Sequence, residues 1–253
     1  MEAMDFRHAC KIFDETKKIS NEDIKYILET GRKSPSSFGQ EPWKFLVITN
    51  PELKAKIRPF CWDQPQITTC SHLVVLLAAI ESTKPSSSEV LRKFNRRGLS
   101  QEMVEAYIKK YSSHLEDTFS SDEKTLAWTS RQTYIAMANM ITAAAVKGID
   151  SCPIEGFEKE NVEKVLNLNT KEYQLSVIVP FGYRIKEQST QIRDKFEDIV
   201  EFYSGSQCLE FSQTWRPVFE LFVMTNNKNI NCLVDNILKE IDKINFKKLC
   251  EGE

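Results

Sequence analysis

Glycine is sparse in this chain: there are eight among 253 residues, and none falls in a glycine-rich dinucleotide fingerprint after an apolar run. A Rossmann-type site is disfavoured on that ground. No apolar run approaches the length of a membrane span; the longest, Leu73 to Ile80, is the size of a strand. The N-terminal Met1-Glu2-Ala3-Met4-Asp5 is acidic and has no signal-peptide core. The expectation is a soluble, cytoplasmic protein with no membrane partner. Neither sign of charge dominates, with 34 Lys and Arg against 36 Asp and Glu, so a nucleic-acid role has no electrostatic support. The three histidines, His8, His72 and His114, are scattered, and the seven cysteines form no CxxC and no zinc spacing with a histidine. No metal site is expected. The odd cysteine count argues against a complete disulfide framework, which leaves buried or idle thiols. No Ser-His-Asp or Cys-His arrangement is legible.

What is present suggests one large domain, or one domain with an appendage. Ser20-Asn21-Glu22-Asp23 has the form of a helix start. Ile24, Ile27 and Leu28 continue it at helical spacing, and Gly31 is read as its end. Trp43 to Ile48 reads as a strand, and Pro51 opens a short helix at a tolerated position. The run from His72 to Ile80 reads as a central strand. Lys84-Pro85-Ser86-Ser87-Ser88 breaks the chain, and charged surface helices are expected over residues 89 to 117. Ser120-Ser121-Asp122-Glu123 starts the longest helix, which extends to about Lys147 with Gly148 as its stop. From Tyr134 to Val146 that helix is apolar on nearly every face, so it is expected to be buried on every side. A domain core and a subunit interface explain it equally well. A helix from about Lys159 to Leu166 and a strand from Tyr173 to Val179 follow. The mixed order of elements gives no βαβ repeat, so an α+β fold is favoured.

Two segments carry candidate chemistry. Arg32-Lys33-Ser34-Pro35-Ser36-Ser37-Phe38-Gly39-Gln40-Glu41-Pro42-Trp43 is a dense turn cluster set directly against a strand. Asp150-Ser151-Cys152-Pro153-Ile154-Glu155-Gly156-Phe157 has the same character and precedes a helix. With Arg7-His8-Ala9-Cys10-Lys11 and Phe181-Gly182-Tyr183-Arg184, these segments resemble the FMN-dependent nitroreductase family in the same order. The resemblance runs from about residue 4 to about residue 200.

That resemblance implies a nitroreductase-like α+β fold with a central, mostly antiparallel sheet flanked by helices. It also implies a homodimer with FMN at the subunit interface. Arg7 and Lys11 would serve the FMN phosphate, where a forked guanidinium or an ammonium is suited, and His8 would bind the cofactor with them. On the residues alone, Arg7 and Lys11 share a face if the segment is helical. Ala9 stands where a small hydroxyl residue is common. Ser36, Ser37 and Gly39 match a loop that reaches the partner's FMN, with Gly39 in place of a common Asn. Asp63 and Gln66 match the segment touching the flavin ring edge. Pro153, Ile154, Glu155 and Gly156 match the segment at flavin N5, with Glu155 and Gly156 beside the hydride transfer. Arg193 matches a phosphate arginine, whereas Gln191 replaces a lysine. The implied reaction has two half-reactions: NAD(P)H delivers hydride to FMN, and a nitroaromatic, a quinone or free flavin then takes two electrons. Alternatives are another reductive reaction such as dehalogenation, or a flavin-binding or interaction protein without turnover.

The resemblance stops near Ser204, which divides the chain into residues 1–203 and a C-terminal extension, residues 204–253. Ile230, Val234, Ile237, Ile241 and Ile244 place an amphipathic helix in the extension. It would either dock on the enzyme body or bind a partner.

Overall fold

The structure, a computed structural model, describes residues 1–203 and separates two units, Met1–Gln191 and Ile192–Glu253. The expected tail helix lies outside the described residues. In chain order the elements are α1 (Glu2–Phe6), α2 (Asn21–Arg32), β1 (Trp43–Ile48), α3 (Pro51–Ile57), α4 (Gln66–Thr69), β2 (His72–Ala79), α5 (Ser88–Asn95), α6 (Gln101–His114), α7 (Asp122–Val146), β3 (Asp150–Ser151), α8 (Lys159–Val165) and β4 (Tyr173–Gly182), with α9 (Phe196–Ile199) in the second unit. The strands form one sheet in the order β1-β2-β4-β3, antiparallel throughout. This is an α+β fold. Among the described residues no helix is long and apolar enough to cross a membrane.

The alternation of β2 builds the layers, because successive side chains leave a strand on opposite faces. Leu73, Val75 and Leu77 pack with Ile57 of α3, Ile67 of α4 and Val162 of α8. Val74 and Leu76 face the other way, onto Ile24 and Ile27 of α2 and Met137, Met140 and Ile141 of α7. Both faces being covered, β2 reads as an unbroken apolar run. Its pairing with β4 carries a bulge between Leu76 and Leu77. Ser176, the extra residue of β4 at the bulge, bonds Thr133 of α7 through its hydroxyl at 2.6 Å. A third apolar cluster joins Val90 and Phe94 of α5, Val104 and Tyr111 of α6, and Trp128 of α7. The charged stretch therefore has a small core of its own, with the buried Tyr111 hydroxyl donating to Thr83 O at 2.6 Å.

Helix starts follow the capping residues. Ser20, Asn50 and Ser121 accept from the N–H groups of Asp23, Leu53 and Lys124. Gly148, at φ +67°, follows the last turn of α7. Gly31 does not end α2: it is buried inside the helix, where an added Cβ would lie 2.0 Å from Met140 Cε. Its role is close packing against α7. The expectation that α7 is buried on every side does not hold within the chain. Ile135 and Val146 are 39% and 63% exposed, and with Ala138 and Thr142 they form an open stripe.

Candidate active site

The N-terminal segment after α1 is extended rather than helical. Arg7 has φ −72° and ψ 126°, Ala9 pairs in parallel with Ser151, and Phe13 pairs with Arg184. The helical face that would bring Arg7 and Lys11 together is therefore absent, and the bridge at Ala9 lies between them in the chain. Gly182 lets Phe13 approach, since a Cβ there would lie 2.7 Å from the ring. Buried Asp150 anchors the segment. It receives Arg184 Nε and N–H, both at 2.8 Å, and Arg184 Nη2 also donates to Phe6 O at 3.0 Å. His8 Nδ1 lies 3.6 Å from Asp150 Oδ1, beyond hydrogen-bond distance, and is buried without a partner. Gln191 donates through Nε2 to Met4 O, Asp5 O and Arg7 O at 2.9, 2.9 and 2.6 Å. The residue that replaces a lysine thus ties down the backbone beside Arg7.

Held in this way, Lys11 reaches across 141 positions of sequence to place Nζ 3.7 Å from Cys152 Sγ. Gln66, 1% exposed, donates to Gln64 Oε1 at 2.8 Å and approaches the same sulfur at 3.8 Å. Gln64 Nε2 donates to Gly156 O at 3.0 Å. Ile154 is buried and exchanges backbone bonds with Ile178 of β4, which fixes the segment that contains Pro153. The carboxylate of exposed Glu155 accepts from the Tyr134 hydroxyl of α7. Burial first, and this bond second, raise the Tyr134 pKa. An added Cβ on Gly156 would meet Trp62 Cε3 at 2.6 Å. Lys11, Gln66, Pro153, Ile154, Glu155 and Gly156 are therefore one cluster. Arg7 Nε and Gln66 Oε1 are buried within the chain without a hydrogen-bond partner. Asp63 points outward, 3.9 Å from Arg58 Nε.

Ser36, Ser37 and Gly39 sit in a second cluster. Phe38, Gly39 and Glu41 have φ of 53°, 58° and 43°, so the loop coils tightly. Ser36 Oγ accepts from Glu41 N–H at 2.8 Å, and Ser37 N–H donates to Gln132 Oε1 of α7 at 2.8 Å. Cations from α5 and the turn after it grip the loop carbonyls. Lys93 Nζ donates to Gln40 O, Arg97 to Phe38 O, and Arg96 Nη2 to Gly39 O at 3.1 Å. Arg96 also pairs with Glu41 at 2.6 Å. Arg193 belongs to the second unit, where it donates to Ile192 O at 2.6 Å.

The sequence reading did not single out Gln64, Trp62 or Tyr134. Gln64 had a signal, since it lies two residues from Gln66 across Pro65. Tyr134 had none, because its role depends on a contact across 21 residues.

An antiparallel sheet covered by helices on both faces, with polar side chains converging on a proline–glycine segment, defines the class. The comparisons make it specific. The model of the Nitroreductase family matches residues 4–183. The Bacillus subtilis protein named "Putative NAD(P)H nitroreductase YfkO" is 40% identical over 212 residues, covering 80% of this chain and 96% of that one. A Haemophilus influenzae "Putative NAD(P)H nitroreductase" is 42% identical over 204 residues, 78% of this chain and 92% of that one. A solved Exiguobacterium sibiricum structure, described as "a putative nitroreductase in complex with FMN", superposes with a TM-score of 0.68. It is 22% identical and covers 80% of this chain and 96% of that one. The chain belongs to the nitroreductase family.

Proposed function

We propose that this chain is an FMN-dependent oxidoreductase that uses NAD(P)H to reduce nitroaromatics, quinones or free flavin. The observation that carries the reading is the convergence of Lys11, Gln64, Gln66 and Trp62 on the segment from Cys152 to Gly156. The fit to FMN rests on three features. Arg7 Nε and Gln66 Oε1 are buried without partners. Among the described residues, the hydrogen-bond partner of Lys11 Nζ is a thiol, that of Cys152. Gly156 leaves room that a side chain would fill.

Bound FMN would supply hydride chemistry at N5 in two half-reactions, with NAD(P)H as donor and the acceptor following in its place. The residues of the chain bind and orient. Arg7 and Lys11 provide the charge for the phosphate, and Arg193 is assigned with them. His8, whose Nδ1 is buried without a hydrogen-bond partner, is assigned to the cofactor beside them. Asp63 and Gln66 present polar groups to the ring edge, and Pro153 and Ile154 hold Glu155 and Gly156 in register. Tyr134 fixes the Glu155 carboxylate at the hydride edge. Catalysis by positioning needs no general base among these side chains.

Ser36, Ser37 and Gly39 are assigned to the FMN of a partner subunit in a homodimer. The uncovered stripe on α7 supports an interface there. Residues 1–203 make the FMN-binding part, and residues 204–253 extend it.

The test is the visible spectrum of the purified protein, before and after NADH and then NADPH in the absence of oxygen. Flavin bands that bleach with either nucleotide are the expected result. A colourless protein that also fails to take up added FMN overturns the reading.

A further inference from the structure

Trp62 ends the short 3-10 turn Arg58–Cys61 in the left-handed conformation, φ 53° and ψ 36°. Asp63 follows at φ 50°. Two consecutive residues with side chains on the left-handed side are an uncommon and strained arrangement, which persists only where the surroundings impose it. They do so here. Arg58 Nε donates to Asp63 O at 3.1 Å, Gln64 N–H donates to Cys61 O at 3.1 Å, and Gln64 Nε2 donates to Gly156 O at 3.0 Å. The outcome is an indole that is 73% exposed. One edge rests on Gly156, where a Cβ would lie 2.6 Å from both Cε3 and Cζ3.

A lone exposed aromatic needs no explanation. This one is fixed by a braced turn, seated on a glycine that has no room for a methyl group, and still open to solvent. We propose that Trp62 is the platform on which a planar aromatic acceptor stacks beside Glu155 and Gly156. It thereby sets the preference of the site for aromatic over non-aromatic acceptors. Indole offers a large, electron-rich face, and electron-poor nitro-substituted rings complement it. Fixing the ring in advance removes the ordering cost that a mobile side chain would bring to binding. The inference deepens the reading above and rests on it, because it takes the edge at Glu155 and Gly156 to be where FMN is held.

The experiment uses the full chain with its FMN, as wild type, Trp62→Ala and Trp62→Phe. Steady-state reduction of 4-nitrobenzoate is compared with that of ferricyanide, which has no ring to stack. Tryptophan emission is titrated with 4-nitrobenzoate in the oxidised protein without nicotinamide. Trp62→Ala is expected to raise KM for 4-nitrobenzoate roughly tenfold, near the upper end of an aromatic pair's contribution. The ratio of the 4-nitrobenzoate KM to the ferricyanide KM should rise by about the same factor, whatever change both acceptors share, and Trp62→Phe should restore most of it. The wild-type emission should quench saturably with 4-nitrobenzoate, and both variants should lose that component.

Equal changes for both acceptors, no change for either, or quenching that stays linear with concentration each overturn the proposal. So does loss of the dimer on gel filtration of Trp62→Ala, which would make Trp62 an interface residue. A wild-type chain that neither holds nor takes up FMN rejects the underlying reading and the proposal with it. A yellow protein that fails the Trp62 tests loses the proposal alone.

Discussion

Cys152 immediately precedes the candidate flavin segment, with an ammonium 3.7 Å away, yet its surroundings make it a poor nucleophile. Burial raises its pKa, and Lys11 opposes that shift only in part. The other described thiols follow the same rule. Burial pushes Cys10 and Cys70 up to about 11 and Cys61 up to about 12. A buried thiol whose pKa is raised holds its proton more tightly in the native state. Its stabilising contribution is complete below the unfolded value of about 8.5 and is lost as pH climbs through the folded value. Lys54 and Lys93 act with the opposite sign, since burial lowers both and the native state gains as they neutralise. With three thiols carrying large shifts, stability is expected to fall as pH rises from the unfolded thiol value toward about 11. The expected result is a urea midpoint that falls across that window. Cys61→Ala should flatten the fall, and a slope unchanged in that variant would remove Cys61 from the account.

The packing of α2 on α7 shows what local sequence conveys and what it does not. The capping serines, Pro51 and Gly148 announce element ends through bonds made within a few residues, so those boundaries were legible. The apolar run of β2 announced a strand covered on both faces for the same local reason. Gly31 misled, because a glycine near a helix end usually marks it. Its meaning lies in Met140, which no local pattern connects to it. Gly31→Ala tests this. Helix propensity alone would favour alanine by about 1 kcal/mol. A Cβ at 2.0 Å from Met140 Cε and 2.9 Å from Cγ should outweigh that and destabilise by about 1–2 kcal/mol net. Met140→Ala is itself destabilising, but it should make the added methyl tolerable. A double-mutant cycle on urea unfolding should therefore show coupling of about 1 kcal/mol or more, and additive effects would deny the contact. The candidate site was legible to the same degree. Lys11, Gln66 and the segment from Pro153 to Gly156 were named by motif. Their convergence spans up to 141 residues, and the grip of Lys93, Arg96 and Arg97 on the serine loop had no sequence signal.

At the scale of the molecule, the two clusters are held separately within one chain. Ser37 bonds to α7, Gly39 to the turn after α5 and Gln40 of the same loop to α5, while Ser36 bonds within the loop. Lys11 and Gly156 bond to a different set of neighbours. Helix α7 passes between these roles, with Gln132 holding the first cluster and Tyr134 the second. Its open stripe of Ile135, Ala138, Thr142 and Val146 recurs at helical spacing. Thr142 returns its hydroxyl to Ala138 O at 2.8 Å and so presents a less polar surface. A two-fold axis near this stripe would bury it against its own copy and bring a second serine loop toward each Gly156. Ala138→Arg separates this arrangement from a self-sufficient chain. Arginine is a good helix former, and Ala138 is exposed in the single chain, so the fold should be nearly unaffected. Within a self-complementary interface the same change brings two guanidinium groups together without partners. Sedimentation velocity should show a dimer for wild type and a monomer for Ala138→Arg. Far-UV circular dichroism should be unchanged, and FMN affinity should be at least tenfold weaker by fluorescence titration, a loss of about 1.4 kcal/mol. A monomer that keeps full FMN affinity would confine the flavin site to one chain and return the serine loop to a purely structural role. A variant that stays dimeric would place the interface elsewhere on the molecule.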